Sequence, residues 1–253
     1  MEYVLTTKEV YYFMKSDFKS YNYKDFDHDK FARSKSRDDF LGQIRRTVNG
    51  QPVSDEQMEL IVKTIVLELQ LSKEDKVLDL ACGNGVLSKR LFEQCSELRG
   101  VDLSGFLISV AQEYFQNSPK YEFYNSDIVD FLRNDSQCLK FNKVLCYGSF
   151  SYLSEEAAKE TLTLLYQRYP NVSHIFIGNL PDYDKRHFFF MHSTPCDEDL
   201  RQHTTAIGIW RSEEEFCALS SECGWEPNIC HMDENFYSSK YRYDVLLKRT
   251  TNI

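Results

Sequence analysis

An acid and two glycines stand close together in the segment V-L-D-L-A-C-G-N-G-V-L-S-K-R-L, residues 77–91. Asp79 lies within an aliphatic run that reads as a buried strand. Gly83 and Gly85 follow where that strand should turn into a helix. Glycine at such a turn lets the backbone take a positive φ and approach a ligand closely. The segment therefore predicts a ligand-binding turn with one carboxylate beside it.

Two classes of ligand compete for this turn. A nicotinamide or flavin dinucleotide requires G-x-G-x-x-G around its pyrophosphate, but Ser88 takes the place of the third glycine. A fixed negative charge at Asp79 favours a cationic ligand group over a pyrophosphate. The amino group and sulfonium of S-adenosylmethionine fit that charge, so we expect this cofactor.

The elements that must position these residues alternate along the chain from Lys76 onward. Short apolar runs alternate with amphipathic stretches, which is typical of right-handed βαβ units and a parallel sheet. In such a sheet the ligand lies at the carboxyl ends of the strands. We predict strands at or near Lys76–Leu80, Leu98–Asp102, Tyr121–Tyr124, Lys143–Tyr147, His174–Gly178, Glu226–Met232 and Tyr241–Lys248.

Helix signals occur on both sides of this region. Ser54 and Gln57 have the spacing of a capping box, and so do Ser212 and Glu215. Gly224 is placed to end the second of these helices.

Three segments have no clear helix or strand period. Residues 10–27 are crowded with aromatic and charged side chains, which predicts an irregular helical cap, because disordered tails are poor in aromatics. Residues 47–54 (T-V-N-G-Q-P-V-S) are rich in turn residues and predict a loop. Residues 181–210 are aromatic, polar and loop-like.

The segment D-L-A-C-G-N-G resembles the first motif of class I S-adenosylmethionine-dependent methyltransferases, and further segments extend the resemblance over roughly residues 55–250. R-G-V-D-L-S ends the second strand with Asp102, where this family places an acid that binds the ribose hydroxyls. N-S-D-I-V-D resembles the third segment, whose Asp127 and Ile128 would flank the adenine. V-L-C-Y-G-S-F-S-Y-L resembles the fourth-strand segment beside the methionine moiety. Asn84 departs from the small residue of many members but tolerates left-handed backbone.

The resemblance implies a Rossmann-like α/β domain over residues 55–253, with a seven-stranded sheet whose last strand is antiparallel. Residues 1–54 would form an N-terminal helical cap. The implied cofactor-binding residues are Asp79, Ala81, Gly83, Asn84, Gly85, Asp102, Leu103, Asp127, Ile128, Cys146, Tyr147 and Arg46.

A nucleic-acid acceptor is not expected. The chain has a net charge of −9, whereas binding to a nucleic-acid duplex requires a basic surface. The amino-methylating members of the family carry Asn/Asp-Pro-Pro-Tyr/Phe after the fourth strand, where this chain has C-Y-G-S. N-L-P-D-Y at 179–183 follows the fifth strand and lacks the paired prolines.

The loop over residues 179–192 is the predicted acceptor-facing segment, because loops at the ligand end of the sheet carry function. His187 or His192 could take a hydroxyl proton near neutral pH. Their spacing, without a second ligand pair, gives no expectation of a metal. The predicted substrate-binding residues are Tyr152, Asp182, Lys185 and Arg186.

The cap, the 179–186 segment and the terminal Y-R-Y-D-V-L-L-K are similar to small-molecule methyltransferases of bacterial sugar and surface-polysaccharide pathways. In that comparison Arg46 and Thr47 would face the cofactor's carboxylate or the acceptor, and Tyr12, Tyr21 and Tyr23 would roof the pocket. The expected function is O-methylation of a sugar, sugar nucleotide or polysaccharide precursor. Two alternatives stay open: N-methylation of a small amine, and a non-catalytic partner protein that binds the cofactor.

Composition limits the remaining classes. The chain has 253 residues, of which 42% are hydrophobic, and eight cysteines without a C-x-x-C pair. Cys82, Cys146 and Cys217 lie in segments that look buried, which favours small apolar roles over disulfides. No signal peptide or membrane span is expected, so we predict a cytoplasmic protein. The expected partners are a small-molecule acceptor and a second copy of the chain, with no membrane.

Overall fold

The computed structural model describes residues 26–48, 50–190 and 195–250. A seven-stranded mixed sheet forms the centre of the fold. Two short strands ahead of it form a hairpin, β1 (Thr47–Val48) and β2 (Gln51–Pro52). The strands of the sheet are β3 (Lys76–Leu80), β4 (Glu97–Asp102), β5 (Tyr121–Asn125), β6 (Lys143–Tyr147), β7 (His174–Pro181), β8 (Trp225–Cys230) and β9 (Arg242–Arg249).

The strand order across the sheet is β5-β4-β3-β6-β7-β9-β8. The first five strands of this order pair in parallel, whereas β9 pairs antiparallel with both β7 and β8. The carboxyl ends of the parallel strands therefore share one edge, and the order reverses between β3 and β6. The predicted Rossmann-like sheet with an antiparallel last strand is confirmed.

Helices connect the strands and cover both faces of the sheet. None of the described helices is long and apolar enough to cross a membrane. The helices are α1 (His28–Arg33), α2 (Phe40–Gln43), α3 (Asp55–Glu68), α4 (Val86–Leu91), α5 (Gly105–Tyr114), α6 (Ile128–Asn134), α7 (Glu155–Arg168), α8 (Asp197–Leu200) and α9 (Glu213–Glu222), with 3-10 turns at Phe92–Gln94, Phe150–Tyr152 and Arg186–Phe188.

Alternate side chains of the strands form two apolar layers, one on each face of the sheet. One layer contains Val77 and Leu145 and packs against Ile65 of α3. The other contains Leu78 and packs against Leu162 of α7. Strands that are buried on both faces require nearly continuous apolar runs, which is why these strands were visible in the sequence.

The predicted capping box at the start of α3 is half wrong. Oγ of Ser54 accepts a hydrogen bond of 3.4 Å from the N–H of Gln57, as expected. The Gln57 side chain does not return to Ser54; it donates to the carbonyl of Asn235 and accepts from the N–H of Tyr237. A tertiary contact with the loop before β9 has replaced the local one.

The predicted start and end of α9 are confirmed. Ser212 and Glu215 form a reciprocal capping box. Gly224 follows the helix with φ 91°, a left-handed conformation that favours glycine.

The segments before and after the parallel strands contain more structure than expected. The predicted 47–54 loop includes the β1–β2 hairpin, with Asn49 outside the described residues. The 181–210 segment includes α8 and a small apolar cluster around Trp210, Phe190 and Leu200. Tyr12, Tyr21 and Tyr23 lie outside the described residues, and the boundary of the cap at residue 54 stays a prediction.

The cysteines are free thiols. Cys82 in the glycine turn and Cys146 on β6 are buried, as predicted. Cys217 on α9 is only half-buried, because α9 turns that face partly to solvent.

Candidate active site

The glycine turn occupies residues 81–85, between β3 and α4. Three of its residues have left-handed backbones: Ala81 at φ 56°, Gly83 at φ 60° and Gly85 at φ 75°. A Cβ on Gly85 would lie 2.9 Å from the Phe123 ring, and one on Gly83 would lie 2.9 Å from Cγ2 of Ile44. Both glycines are therefore required. Ala81 takes a backbone that costs an L-residue about 1–2 kcal/mol, a strain typical of functional sites.

Asp79 is buried beneath the turn, and its Oδ2 accepts a hydrogen bond of 2.6 Å from Oγ of Ser88. Burial raises the pKa of Asp79 to about 7; the bond from Ser88 opposes the rise and the charge of Asp102 adds to it. The negative charge expected at Asp79 therefore depends on its surroundings, because a pKa of about 7 lies close to neutral pH. A neighbouring cation would favour the charged form.

Asp102 ends β4, and its carboxylate joins two loops. Oδ2 accepts from the N–H of Gly83 and Oδ1 from the N–H of Ser104, both at 2.8 Å. Burial raises the pKa of Asp102, while the two backbone bonds act to lower it. Each oxygen keeps lone-pair capacity for a ligand hydroxyl. Leu103, the next residue, is 72% exposed.

The third predicted cofactor segment lies at the end of β5, next to β4. Asp127 caps α6, because its Oδ1 accepts from the N–H of Val129 at 2.8 Å and of Asp130 at 3.1 Å. Ile128 is buried in the same apolar layer as Leu132. Both residues thus have roles in the fold, and their contact with adenine stays a prediction.

Buried polar groups gather at the carboxyl ends of β6 and β7. The Arg46 guanidinium lies 4.9 Å from the ring centre of Tyr147. A Cβ on Gly148 would lie 3.1 Å from Nη2 of Arg46 and 3.4 Å from Nδ2 of Asn179. Asp244 of β9 accepts a hydrogen bond of 2.6 Å from the N–H of Asn179. We call these five residues the Arg46 cluster.

Three atoms of the Arg46 cluster are buried and have no hydrogen-bond partner in the described part of the chain: Nε of Arg46, Oη of Tyr147 and Oδ2 of Asp244. Burial raises the pKa of Asp244 to about 7, against the lowering by the bond from Asn179 and by Arg242 and Arg46. Such groups are costly unless a partner arrives. Their concentration in one place indicates a ligand-binding region.

The two cations of the predicted acceptor loop, Lys185 and Arg186, contact residues close to the loop. Nζ of Lys185 lies 2.9 Å from carboxylate oxygens of both Asp182 and Glu213. Nη1 of Arg186 donates to the carbonyl of Tyr183, and the guanidinium lies 4.0 Å from that ring's centre. The substrate-binding roles of Asp182, Lys185 and Arg186 stay predictions.

The two predicted bases are placed differently. His187 is exposed, with its ring 4.2 Å from that of Phe188, and His192 lies outside the described residues. Tyr152, a predicted substrate contact, follows β6 and donates a 3.2 Å hydrogen bond to the carbonyl of Ala206. None of these roles is tested by the geometry.

The described part of the cap lies over the glycine turn. The amide of Asn84 is fully buried and donates to the carbonyl of Phe40 at 2.8 Å and to Oε1 of Gln43 at 2.7 Å. Oδ1 of Asp29 accepts from Oγ of Ser104 at 2.5 Å. The Asn84 side chain thus holds the cap, which leaves its backbone for the predicted cofactor contact.

Two polar residues of the region were not predicted from the sequence. Asp244 stands inside the apolar run Y-D-V-L-L, as Asp79 does in V-L-D-L, so the same reasoning could have found it. The His28 ring lies 4.4 Å from that of Tyr152. Burial and Arg45 lower the pKa of His28 to about 4, against a smaller opposite effect of Asp27.

Residues 77–168 match the family described as a methyltransferase domain. The match covers less than half of the chain. It runs from β3 to the end of α7 and so contains the glycine turn, Asp102 and Asp127.

A curated relative agrees with the match. Over 88 residues the chain is 36% identical to "Putative methyltransferase YqeM" of Bacillus subtilis (strain 168), which covers 34% of each chain. The chain thus spans about a third of the length of this curated relative.

Solved structures extend the likeness beyond the matched stretch. Magnesium protoporphyrin IX methyltransferase of Synechocystis PCC 6803 with bound S-adenosylhomocysteine has a TM-score of 0.56 at 14% identity, over 96% of this chain and 99% of that one. An S-adenosylmethionine-dependent methyltransferase of Clostridium acetobutylicum ATCC 824 has a TM-score of 0.57 at 14% identity, over 81% and 96%. The fold is that of S-adenosylmethionine-dependent methyltransferases.

The residues around the glycine turn fit the cofactor of this fold. Asp102 offers oriented carboxylate oxygens for hydroxyl groups, and Leu103 offers an exposed apolar surface beside them. Asp79 supplies a carboxyl that a cation would hold in its charged form. The turn itself allows a ligand to approach the backbone.

Proposed function

We propose that the chain transfers a methyl group from S-adenosylmethionine to a small polar acceptor. The observation that carries this proposal is the hydrogen bond from the N–H of Gly83 to Asp102, which links the glycine turn to the acid at the end of β4. The bound donor supplies an electrophilic methyl group on its sulfonium. The chain must then align the acceptor, exclude water and, for a hydroxyl, remove a proton.

The first candidate for the acceptor is an oxygen of a sugar, sugar nucleotide or polysaccharide precursor. The resemblance to sugar-pathway methyltransferases that the sequence predicts for the cap, the 179–186 segment and the terminal strand supports it. The Arg46 cluster adds support, because its buried donors and acceptor suit a ligand rich in polar groups. A homodimer and a cytoplasmic location stay predictions, as do His187 and His192 as bases.

The test is transfer of a tritiated methyl group from S-adenosylmethionine to a panel of sugars, sugar nucleotides and small amines. We expect a labelled sugar product with the wild-type chain and with the exposed-site control Asp38→Asn. The product should disappear in Asp102→Ala. Label on amines alone would replace O-methylation by N-methylation. Tight cofactor binding without transfer to any acceptor would contradict the enzymatic proposal and favour a non-catalytic partner protein.

A further inference from the structure

Arg46 lies at the carboxyl ends of β6 and β7. Its neighbours include Tyr147 and Gly148 at the end of β6, Asn179 in β7 and Tyr237 in the loop before β9. Strands β6, β7 and β9 lie on the far side of β3 from β4, which carries Asp102.

Different residues of the cap cover the cofactor side. Phe40 and Gln43 accept hydrogen bonds from Asn84, and Ile44 lies against Gly83. The chain thus changes sides between residues 44 and 46. A role at the acceptor therefore fits the position of Arg46 better than a role at the glycine turn.

Two glycines leave space for the Arg46 side chain and for the Tyr147 ring beside it. Gly148 has φ 78°, and any Cβ there would crowd the guanidinium. Gly178 leaves room for the Tyr147 ring, since a Cβ at that residue would lie 2.3 Å from a ring carbon. Two glycines therefore place an aromatic ring under a buried cation, an arrangement that stabilises the cation in part.

The charge of Arg46 is only partly balanced within the described chain, because Asp244 interacts with it electrostatically without forming an ion pair. Burial acts to lower the pKa of Arg46 and the neighbouring tyrosines raise it, while its Nε has no hydrogen-bond partner in the described residues. Arg242 adds a second guanidinium, which donates to the carbonyl of Asn179 at 2.6 Å and forms no ion pair in the described residues. A buried charge without a counter-ion is strongly unfavourable. Arg242 is only half-buried, so Arg46 is the buried cation whose presence requires a specific reason.

We propose that the methyl acceptor carries an anionic group, a carboxylate or a phosphate, and that Arg46 and Arg242 bind it. The proposal rests on the proposed function, because it assigns the anion to the acceptor and not to the cofactor. Guanidinium groups match both anions with paired N–H donors. The Tyr147 hydroxyl can add a third donor, and Oδ2 of Asp244 can accept from a hydroxyl next to the anionic group.

Calorimetry on the full chain saturated with S-adenosylhomocysteine tests this subsite. The probes are inorganic phosphate, glucuronate and the neutral methyl glucoside, at constant ionic strength. We expect saturable binding of at least one anion and none of methyl glucoside. Binding of phosphate alone identifies a phosphorylated acceptor, and binding of glucuronate alone a carboxylate.

Variants connect this binding to the two arginines. Arg46→Gln and Arg242→Gln should each weaken anion binding at least tenfold, which corresponds to about 1.4 kcal/mol of binding free energy. The matched control Arg90→Gln, whose guanidinium pairs with Asp55 and Glu59, should leave binding unchanged. Far-UV circular dichroism checks folding, and Arg46→Lys, which keeps the charge, should retain part of the affinity.

Other outcomes overturn the assignment. In one such outcome, S-adenosylhomocysteine displaces the bound anion. Arg46→Gln then weakens the binding of S-adenosylhomocysteine but not that of methylthioadenosine, which lacks the carboxylate. This outcome would place the cofactor's carboxylate at Arg46. That result leaves the proposed function intact. Absence of anion binding, or equal binding in the variants, contradicts the subsite. Absence of S-adenosylhomocysteine binding contradicts the proposed function instead, and the probes are then titrated into the chain alone.

Discussion

Replacement of Asp79 by asparagine should make the protein more stable at alkaline pH. The carboxyl is fully buried, with one hydrogen bond from Ser88, and its pKa rises from the ordinary value of 3.8 to about 7. A raised pKa means that the folded state binds the proton more tightly than the unfolded state. The stabilisation by the proton is complete below pH 3.8 and is lost as pH rises through 7.

The magnitude follows from the two pKa values. Between pH 5 and pH 8 the wild-type chain should lose about 2–3 kcal/mol of unfolding free energy through Asp79. Asparagine does not titrate and can still pair with Ser88. The advantage of Asp79→Asn over the wild type should therefore grow by that amount over the same interval. Asp244, whose pKa is also about 7, is present in both proteins and cancels in the comparison.

Urea unfolding at several pH values between 5 and 8.5 measures this difference, provided that the slope with urea is unchanged. The exposed Asp38→Asn serves as the control and should follow the wild type. A difference between Asp79→Asn and the wild type that stays constant with pH would refute the reasoning. It would mean that Asp79 keeps its charge in the folded state without a bound cation.

Three further changes test other parts of the site. Asn84→Ala removes both bonds to the cap and should cost about 1–3 kcal/mol in urea unfolding, with faster proteolysis within residues 26–48; unchanged stability and proteolysis would contradict the anchor. Gly148→Ala forces a side chain at φ 78° against Arg46 and should cost about 1–3 kcal/mol; a neutral result would mean that Arg46 lies elsewhere. The His28 ring, with its pKa lowered to about 4, should stay neutral at pH 5.5 in NMR; a midpoint near 6.5 would place it in solvent.

The parallel strands and the glycine turn were predictable because their signals are local. β3 and β6 have the bounds predicted from their apolar runs, and the turn between β3 and α4 depends on adjacent residues. The capping box of Ser212 and Glu215 is likewise contained within one helical turn.

The features that the sequence did not predict depend on residues that are distant in the chain. The bond from Asn84 to the cap spans more than forty positions, and Asp244 meets Asn179 only after β9 has joined the sheet. Gln57 formed tertiary bonds in place of the expected local one for the same reason. The charge of Asp79 could not be read from its residue type, because burial and Ser88 set its pKa.

The central claim is tested most directly by calorimetry with S-adenosylhomocysteine and, in parallel, with NADH. The account predicts saturable binding of S-adenosylhomocysteine, no binding of NADH, and a loss of about 1–3 kcal/mol of binding free energy in Asp102→Ala from the removed charge-assisted hydrogen bonds. Unchanged affinity in that variant would mean that the ribose lies elsewhere. No affinity for S-adenosylhomocysteine, or tighter binding of NADH, would contradict the account.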